Sequence, residues 1–330
     1  MPQPKSNTGK PKKAKRIRVA LTGATGFSGS FILPQLIAAG YDVVCLARKP
    51  EVLVGKCKNV VAGDLADEAA LTKLVTGADV VLHVGGATAA KTRKEFFDVN
   101  LDGTKRLFLA ARRAQVLRFV YVSSLTAREP SLSDYGASKA AAEQFLLPHD
   151  DEECDVLVLR PPAIYGPGDR SSLPLFKAVL SNTAYFPGPK DGRFSLLYVA
   201  DFSKVVCEAV DNTAHGVFEL DDQTPGYGWQ DLVMTARKLY GTPRKVVHLP
   251  RGLVLSVAAV AEFAARLRGT AAFATRQKVK EIYHPDWVAN GWIWPVPQPV
   301  KLEQGMAQTV AWYRAMGWLK SPHENAKGTA

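Results

Sequence analysis

A glycine-rich turn constrains the fold of this chain more than any other feature. The segment Thr22-Gly23-Ala24-Thr25-Gly26-Phe27-Ser28-Gly29 follows an apolar run at 17–22 and opens a helical pattern at 27–39. Glycines at this spacing permit a tight turn, let the backbone approach a pyrophosphate and let the helix pack closely on the strand. The start of the helix then offers unpaired N–H groups to the anion. The pattern predicts a dinucleotide-binding turn formed by Gly23, Thr25, Gly26, Phe27, Ser28 and Gly29.

Short β-branched runs alternate with longer helical patterns from Arg16 onward. Several of these runs are apolar on both faces, as buried parallel strands are. The alternation predicts an α/β Rossmann fold, a doubly wound parallel sheet followed by a smaller C-terminal α/β substrate subdomain. We expect strands at 17–22, 42–47, 59–62, 80–84, 118–123 and 156–160, and helices at 27–39, 68–75, 101–115, 136–146 and 201–212.

The regular alternation stops in a tract rich in Pro and Gly, residues 161–189, which predicts a domain boundary. A length of 330 residues suits one dinucleotide-sized domain with an appendage. We expect a basic tail at 1–16, a dinucleotide-binding domain at 17–170 with a returning segment at about 196–212, a substrate subdomain at about 171–195 and 213–320, and a polar tail at 321–330.

The net charge of +11 is concentrated at the N-terminus. Six of the eleven charges belong to a stretch without acidic residues, and such runs are commonly solvated arms. We therefore expect no nucleic-acid partner, and attraction of this tail to an anionic membrane surface is favoured over DNA binding. The six cations are Lys5, Lys10, Lys12, Lys13, Lys15 and Arg16.

The cellular compartment is inferred from the cysteines and from one apolar segment. Four widely spaced cysteines without a CxxC pair predict neither a disulfide framework nor a metal site, which fits a cytoplasmic protein. The apolar run at 253–261 is too short to span a bilayer and predicts a packed helix. Because Arg251, Arg266 and Arg268 flank it, peripheral contact with the inner membrane surface stays open as an alternative.

The end of the second predicted strand bears on the choice of dinucleotide. An acidic residue commonly stands there when the ribose of NAD is bound, but here Ala47 is followed by Arg48 and Lys49. A guanidinium suits a 2′-phosphate, and no acid repels one. The sequence therefore favours NADP(H) over NAD(H), with Arg48 and Lys49 as its ligands.

Several motifs occur in an order that resembles the extended short-chain dehydrogenases/reductases. Within them, the chain is most similar to the NAD(P)-dependent epimerase/dehydratase family and its 3β-hydroxysteroid dehydrogenase branch, and bacterial ceramide-pathway reductases are one group it resembles. The likeness covers about residues 17–212. The motifs are the glycine turn at 22–29, Gly63-Asp64-Leu65, Asn100-Leu101-Asp102-Gly103-Thr104, Tyr121-Val122-Ser123-Ser124, Tyr135-Gly136-Ala137-Ser138-Lys139 and the segment 160–168.

The resemblance assigns the chemistry to Ser124, Tyr135 and Lys139. Spacing by four residues places Tyr135 and Lys139 on one face of a helix. Tyr135 then donates a proton to a ketone oxygen or accepts one from an alcohol, and Ser124 hydrogen-bonds the same oxygen, with Ser123 as the alternative. We expect the Lys139 ammonium to lower the pKa of the phenol and to hold the nicotinamide ribose.

The resemblance also implies further cofactor contacts. Asp64 and Leu65 border the adenine, and Gly85 and Gly86 line the cofactor. Pro161 and Ala163 approach the nicotinamide. Asn100 begins the helix beneath the site or simply caps it.

Two departures from the family pattern bear on the substrate. Only eleven positions separate Ser124 from Tyr135, which predicts an open pocket. Phe194 stands where relatives often bring an arginine to a sugar-nucleotide pyrophosphate, and Arg193 faces oppositely in a strand. We therefore expect a small hydrophobic, lipid-like ketone or alcohol, contacted by Phe194 and Tyr165.

Three functions remain open on sequence grounds. The favoured one is an NADP(H)-dependent oxidoreductase acting on a sphingolipid-, ceramide- or sterol-like substrate. The others are a nucleotide-sugar epimerase or dehydratase and a non-catalytic nucleotide-binding accessory subunit. Pairs of helices commonly form homodimers in this family, so a homodimer is expected as well.

Overall fold

The computed structural model describes residues 16–268, 270 and 275–319, in which strands and helices alternate through the first two thirds of the chain. The strands are β1 (Arg18–Thr22), β2 (Asp42–Ala47), β3 (Asn59–Ala62), β4 (Val80–His83), β5 (Arg118–Val122), β6 (Asp155–Arg160), β7 (Ala163–Tyr165), β8 (Thr183–Pro187), β9 (Arg193–Phe194), β10 (Leu196–Tyr198), β11 (Gly216–Glu219), β12 (Tyr227–Gly228), β13 (Lys245–Leu249) and β14 (Asp286–Trp287). The helices are α1 (Phe27–Ala38), α2 (Glu68–Val75), α3 (Arg93–Phe97), α4 (Gly103–Arg113), α5 (Asp134–Leu146), α6 (Leu173–Val179), α7 (Val199–Glu208), α8 (Trp229–Tyr240), α9 (Arg251–Leu267), α10 (Arg276–Ile282) and α11 (Leu302–Ala315).

Seven parallel strands form the central sheet in the order β11-β6-β5-β4-β1-β2-β3. This arrangement confirms the predicted Rossmann-like fold. Strands β2 and β3 lie on one side of β1, and the next strand along the chain, β4, pairs with β1 on its other side. At such a switch point, the loops after the carboxyl ends of the strands diverge and leave a crevice for a ligand. The glycine turn after β1, the Gly85-Gly86 loop after β4 and Ser124 after β5 all lie at this edge.

Helices cover both faces of the sheet, each over its own hydrophobic cluster. On one face α1 and α7 pack through residues such as Leu36 and Phe202. On the other face α2, α4 and α5 contribute Leu71, Phe108 and Leu146. Because both faces are covered, the strands are apolar on both sides, as the sequence pattern indicated.

A third hydrophobic cluster lies among C-terminal elements, where α6, α8 and α11 pack together with β8 and β10. Tyr165 belongs to it, is only 3% exposed and contacts the rings of Phe176 and Tyr198. Packing against Gly305 and these rings encloses the Tyr165 side chain, and its contact with substrate stays a prediction. The domain boundaries at 170 and 213 stay a prediction.

The helix predicted at 101–115 begins differently in the structure. The pattern at 101–115 predicts a single helix, but the structure has α3, then a π-helix at Asp98–Asp102, and then α4. A π-helix inserts an extra residue per turn and leaves no periodic signal in the sequence. Asn100 lies within this π-helix, so it neither begins nor caps α4.

Among the described residues no helix has the length and apolar character needed to cross a bilayer. The described part of the chain also holds no group of three His, Cys, Asp or Glu side chains placed to bind a metal. All four cysteine thiols are free.

Candidate active site

The glycine turn after β1 approaches the Gly85-Gly86 loop so closely that no side chain fits between them. Gly23 has φ +80°, and a Cβ on it would lie 2.6 Å from the Gly85 amide nitrogen. A Cβ on Gly29 would lie 2.0 Å from the Gly23 carbonyl oxygen. Both positions therefore require glycine, which explains this part of the motif.

The first turn of α1 presents free backbone amides at the crevice. Gly26 is the N-cap residue and has no side chain with which to cap them, and the first turn contains no acidic residue. Thr25 is exposed, and Phe27 and Ser28 are half-buried. Amides at a helix N-terminus bind anions, so the turn fits the pyrophosphate of a dinucleotide.

His83 is a buried histidine that the sequence analysis did not single out. Its side chain links the segments that form this crevice. His83 Nδ1 lies 2.7 Å from Thr22 Oγ1, and His83 Nε2 lies 2.9 Å from Thr104 Oγ1. The Thr104 hydroxyl donates to the Asn100 carbonyl at 2.6 Å, so it must accept from Nε2–H. Thr22 then donates to Nδ1 and accepts from the Gly85 amide at 3.1 Å. A neutral His83 thus connects β1, β4, α4 and the Gly85 loop.

The pKa of His83 makes this connection sensitive to acid. Burial, assisted by the nearby Lys139 charge, lowers the pKa of His83 to about 3. The unfolded chain takes up the proton near pH 6.5 and the folded chain does not, so stability is lost as pH falls from 6.5 towards 3. Between pH 7 and 5, wild type should lose about 2 kcal/mol more unfolding free energy than His83→Gln. Denaturant unfolding at both pH values measures this difference, and parallel losses would contradict it.

Asn100 ties the loop after β4 to the helix that carries Tyr135. Its Oδ1 accepts from the Ala87 amide at 2.7 Å, and its Nδ2 donates to the Ala87 carbonyl at 3.0 Å and to Ser138 Oγ at 2.9 Å. A Cβ on Gly86 would lie 3.0 Å from Asn100 Oδ1 and 3.8 Å from Lys139 Nζ. The Gly85-Gly86 loop is thereby held against the start of α5.

The predicted catalytic side chains meet where β5 ends and α5 begins. Tyr135 lies in the first turn of α5, and its phenol lies close enough to the Ser124 hydroxyl for that group to influence its pKa. Lys139, one turn later, donates to the Val122 carbonyl at 2.7 Å and lies 4.2 Å from the Tyr121 ring centroid. Ser123 instead donates to the Glu143 carboxylate and is buried. The geometry therefore favours Ser124 over the alternative Ser123.

The electrostatics of this site differ from the sequence-based expectation. Burial raises the pKa of Tyr135 to about 12, and Glu281 adds to the rise while the nearby Ser124 hydroxyl opposes it. Burial also lowers the pKa of Lys139 to about 7, although Glu143 opposes the fall. The expected lowering of the phenol pKa by Lys139 is thus not found, because desolvation disfavours both charged forms. The phenol stays protonated through the neutral range.

A buried ion-pair network extends from α5 to the C-terminal segment. Glu143 binds Arg160 at 2.5 Å, Arg160 lies 3.6 Å from Glu219, and Glu219 lies 3.2 Å from Arg128. Arg128 also donates to the Val288 carbonyl at 2.8 Å. Since Arg128 lies between Ser124 and Tyr135 in sequence, the network fixes the short connection between the two candidate catalytic residues.

Helix α10 packs on the start of α5. The side chain of Gln277 accepts from the Asp134 amide at 3.0 Å and donates to Asp134 Oδ2 at 2.7 Å. Ser133 donates to the buried carboxylate of Glu281. C-terminal residues therefore border the Tyr135 side of the crevice.

The remaining predicted cofactor residues lie at strand ends along the same edge. Arg48 and Lys49 follow β2 and are exposed. Asp64 is exposed and its Oδ1 accepts from the Ala66 amide at 2.8 Å, while Leu65 is half-buried against Gly103. Beyond β6, the buried Pro161 accepts from the Leu125 amide at 3.0 Å, and Ala163 is exposed in β7.

The structure places Phe194 and Arg193 in different surroundings. Phe194 is half-buried, with its ring centroid 5.2 Å from that of Trp229. The Arg193 guanidinium donates to the carbonyls of Pro225 at 3.0 Å and Gly226 at 2.8 Å. Arg193 is therefore engaged with backbone and does not serve as a free anchor for a pyrophosphate.

Known proteins resemble this chain in sequence and in fold. A model of the NAD dependent epimerase/dehydratase family matches residues 19–220. The chain belongs to this family. It is an NAD(P)-dependent oxidoreductase of the extended short-chain dehydrogenase/reductase type and uses a nicotinamide cofactor, as the motifs indicated.

Two relatives are reductases or dehydrogenases. The enzyme is 36% identical over 311 residues to the ceramide reductase of Caulobacter vibrioides, which covers 91% of this chain and 96% of that protein. It is 29% identical over 241 residues to the 3-beta-hydroxysteroid dehydrogenase of Mycolicibacterium neoaurum, covering 63% and 62%. The UDP-glucose 4-epimerase of Thermus thermophilus, solved with NAD, has a TM-score of 0.66 at 22% identity and covers 90% of this chain and 99% of its own. This last likeness shows the shared fold.

Proposed function

We propose that this enzyme uses NADPH to reduce the ketone of a long-chain lipid such as a keto-sphingoid base or ketoceramide. The observation that carries the proposal is the placement of Ser124, Tyr135 and Lys139 together where β5 ends and α5 begins, with Lys139 beside the Gly85-Gly86 loop. The similarity to a ceramide reductase along nearly the whole of both chains supports the substrate class.

In this scheme the enzyme's own residues bind the ketone oxygen and supply its proton. The bound nicotinamide supplies the hydride. Tyr135 donates its phenolic proton to the oxygen as negative charge develops there, and Ser124 donates a hydrogen bond to the same oxygen. Because burial raises the pKa of Tyr135, the phenol holds its proton at neutral pH until a ketone oxygen accepts it. Lys139 would contact the nicotinamide ribose.

Residues along the strand ends would hold the dinucleotide. The amides of Phe27 and Ser28 would bind the pyrophosphate, with Gly23, Thr25, Gly26 and Gly29 shaping the turn, in which the Gly26 amide donates to the Gly23 carbonyl. Asp64 and Leu65 would border the adenine, Gly85 and Gly86 would line the middle of the crevice, and Pro161 and Ala163 would approach the nicotinamide. Arg48 and Lys49 would bind the 2′-phosphate of NADP(H).

Replacing Arg48 with alanine should weaken the use of NADPH selectively. Loss of one charge-assisted hydrogen bond to phosphate predicts a roughly 10- to 100-fold fall in kcat/KM for NADPH, with little change for NADH. Arg113→Ala, which removes an exposed arginine at the end of α4, is the matched control and should change neither value. An equal fall with both dinucleotides in Arg48→Ala would contradict binding of the 2′-phosphate.

A substrate panel tests the reaction class. Purified enzyme is incubated with NADPH and ketolipids, steroid ketones or UDP-sugars, and NADPH absorbance is followed. We expect net consumption of NADPH with ketolipids. Conversion of UDP-sugars alone, without net consumption, would instead indicate an epimerase, and an absence of turnover throughout would indicate an accessory subunit. The homodimer and the cytoplasmic compartment stay predictions.

A further inference from the structure

Helix α9 exposes a continuous apolar face. The side chains of Leu253, Val257, Val260, Phe263 and Leu267 are between 54% and 74% exposed. Their successive spacings of four, three, three and four residues place them within an arc of about 120° on one side of the helix. Ala258, the buried residue of this helix, lies on the opposite side. Within the described residues, the apolar face therefore points away from the other elements.

Exposed arginines lie at both ends of α9, and Arg266 and Arg268 lie on either side of the apolar face at its C-terminal end. Arg251 at the start of α9 and Arg266 and Arg268 at its end are exposed. Glu262 is the acidic residue of the helix, and its carboxylate is bound to Arg276 of α10 at 2.7 Å. A helix with an apolar face and arginines at both ends matches the surface of an anionic bilayer, where acyl chains meet negative headgroups.

A second copy of the chain fits this face less well. The exposed parts of five such side chains amount to roughly 300–500 Å² of surface, below the about 800 Å² per partner that stable dimers bury. Pairing of two α9 helices through this face would also leave Arg266 and Arg268 without an acidic partner from α9, because Glu262 lies on the other side of the helix and binds Arg276. Charge and area therefore both favour lipid over self-association.

The apolar face lies one helix away from the candidate active site. Helix α9 contacts α10 through the ion pair of Glu262 with Arg276, and α10 contacts the start of α5 through Gln277 and Glu281. We propose that the α9 face seats the enzyme on an anionic membrane surface, so that a long-chain ketone passes from the bilayer to Tyr135. The delivery step rests on the proposed function, whereas the membrane contact does not.

Vesicle flotation of the full chain tests the membrane contact without cofactor or substrate. The probes are vesicles of phosphatidylcholine alone and vesicles that also contain phosphatidylglycerol. Wild type should float with the anionic vesicles, and Val260→Gln with Phe263→Gln should lower the partition coefficient at least tenfold. Met234→Gln removes an exposed apolar side chain from α8 and should bind like wild type. Arg266→Gln with Arg268→Gln should lower binding several-fold and reduce its salt dependence.

Three outcomes would overturn the proposal. Wild type fails to bind anionic vesicles, the Val260→Gln and Phe263→Gln variant binds as well as wild type, or light scattering shows that these substitutions convert a dimer into a monomer. A separate assay tests the reductase function by following NADPH consumption with a short-chain, water-soluble ketone. If that activity persists equally in wild type and variant while vesicle binding is absent, only the membrane proposal fails.

Discussion

Replacing Tyr135 with phenylalanine should lower kcat for ketone reduction by about 1,000-fold, within the range attributed to a positioned general acid. Phenylalanine keeps the ring beside Phe96 and removes only the hydroxyl, which lies near Ser124. Because the phenol supplies a proton to the ketone oxygen, its loss should leave the Kd for NADPH within about twofold of wild type. Steady-state turnover and fluorescence titration of the dinucleotide measure the two quantities.

Tyr185→Phe is the matched control, because it removes the hydroxyl of a tyrosine that is 55% exposed on β8. It should leave turnover unchanged. Retention of more than a tenth of wild-type kcat in Tyr135→Phe would exclude this phenol as the essential proton donor.

Replacing Glu143 with glutamine should destabilise the protein by about 3 kcal/mol. The change keeps the shape of the side chain but leaves two arginines, Arg160 and Arg128, to share the single carboxylate of Glu219. Glu143 is 3% exposed, so water cannot screen the uncompensated charge. A fall in Tm of roughly 5 °C is expected for a chain of this size.

Glu153→Gln provides the comparison for Glu143→Gln. Glu153 also pairs with an arginine, Arg112 at 2.8 Å, but its side chain is 80% exposed. An exposed pair contributes little, so this variant should keep its Tm within about 1 °C of wild type. If the two variants lose the same stability, the Glu143 network does not hold α5 in place as inferred.

The sequence predicted the central sheet well because the short apolar runs along the chain coincide with strands that are buried on both faces. The strands β2 and β3 have the predicted bounds, since buried parallel strands read as short apolar runs between polar turns. The glycine turn was predictable for the same reason, because backbone contacts at Gly23 and Gly29 exclude every other residue. The structure accordingly brings Ser124 and Tyr135 together as their motifs indicated.

Interactions between distant segments could not be predicted in the same way. Nothing near His83 in sequence indicates that Thr22 and Thr104 enclose it, since the contacts join residues 61 and 21 positions apart. The burial of Tyr165 depends on packing with α11, about 140 positions later. The raised pKa of Tyr135 likewise depends on how completely the surrounding chain removes water.

Single-turnover reduction with NADPH that carries deuterium at both C4 positions of the nicotinamide tests whether hydride passes directly to the ketone carbon. A long-chain ketone such as a ketoceramide is the substrate, and mass spectrometry locates the label in the product. We expect one deuterium on the new carbinol carbon for each NADPH oxidised, with little product from Tyr135→Phe in the same time. Product without deuterium at that carbon, or formed without oxidation of NADPH, would exclude this hydride transfer.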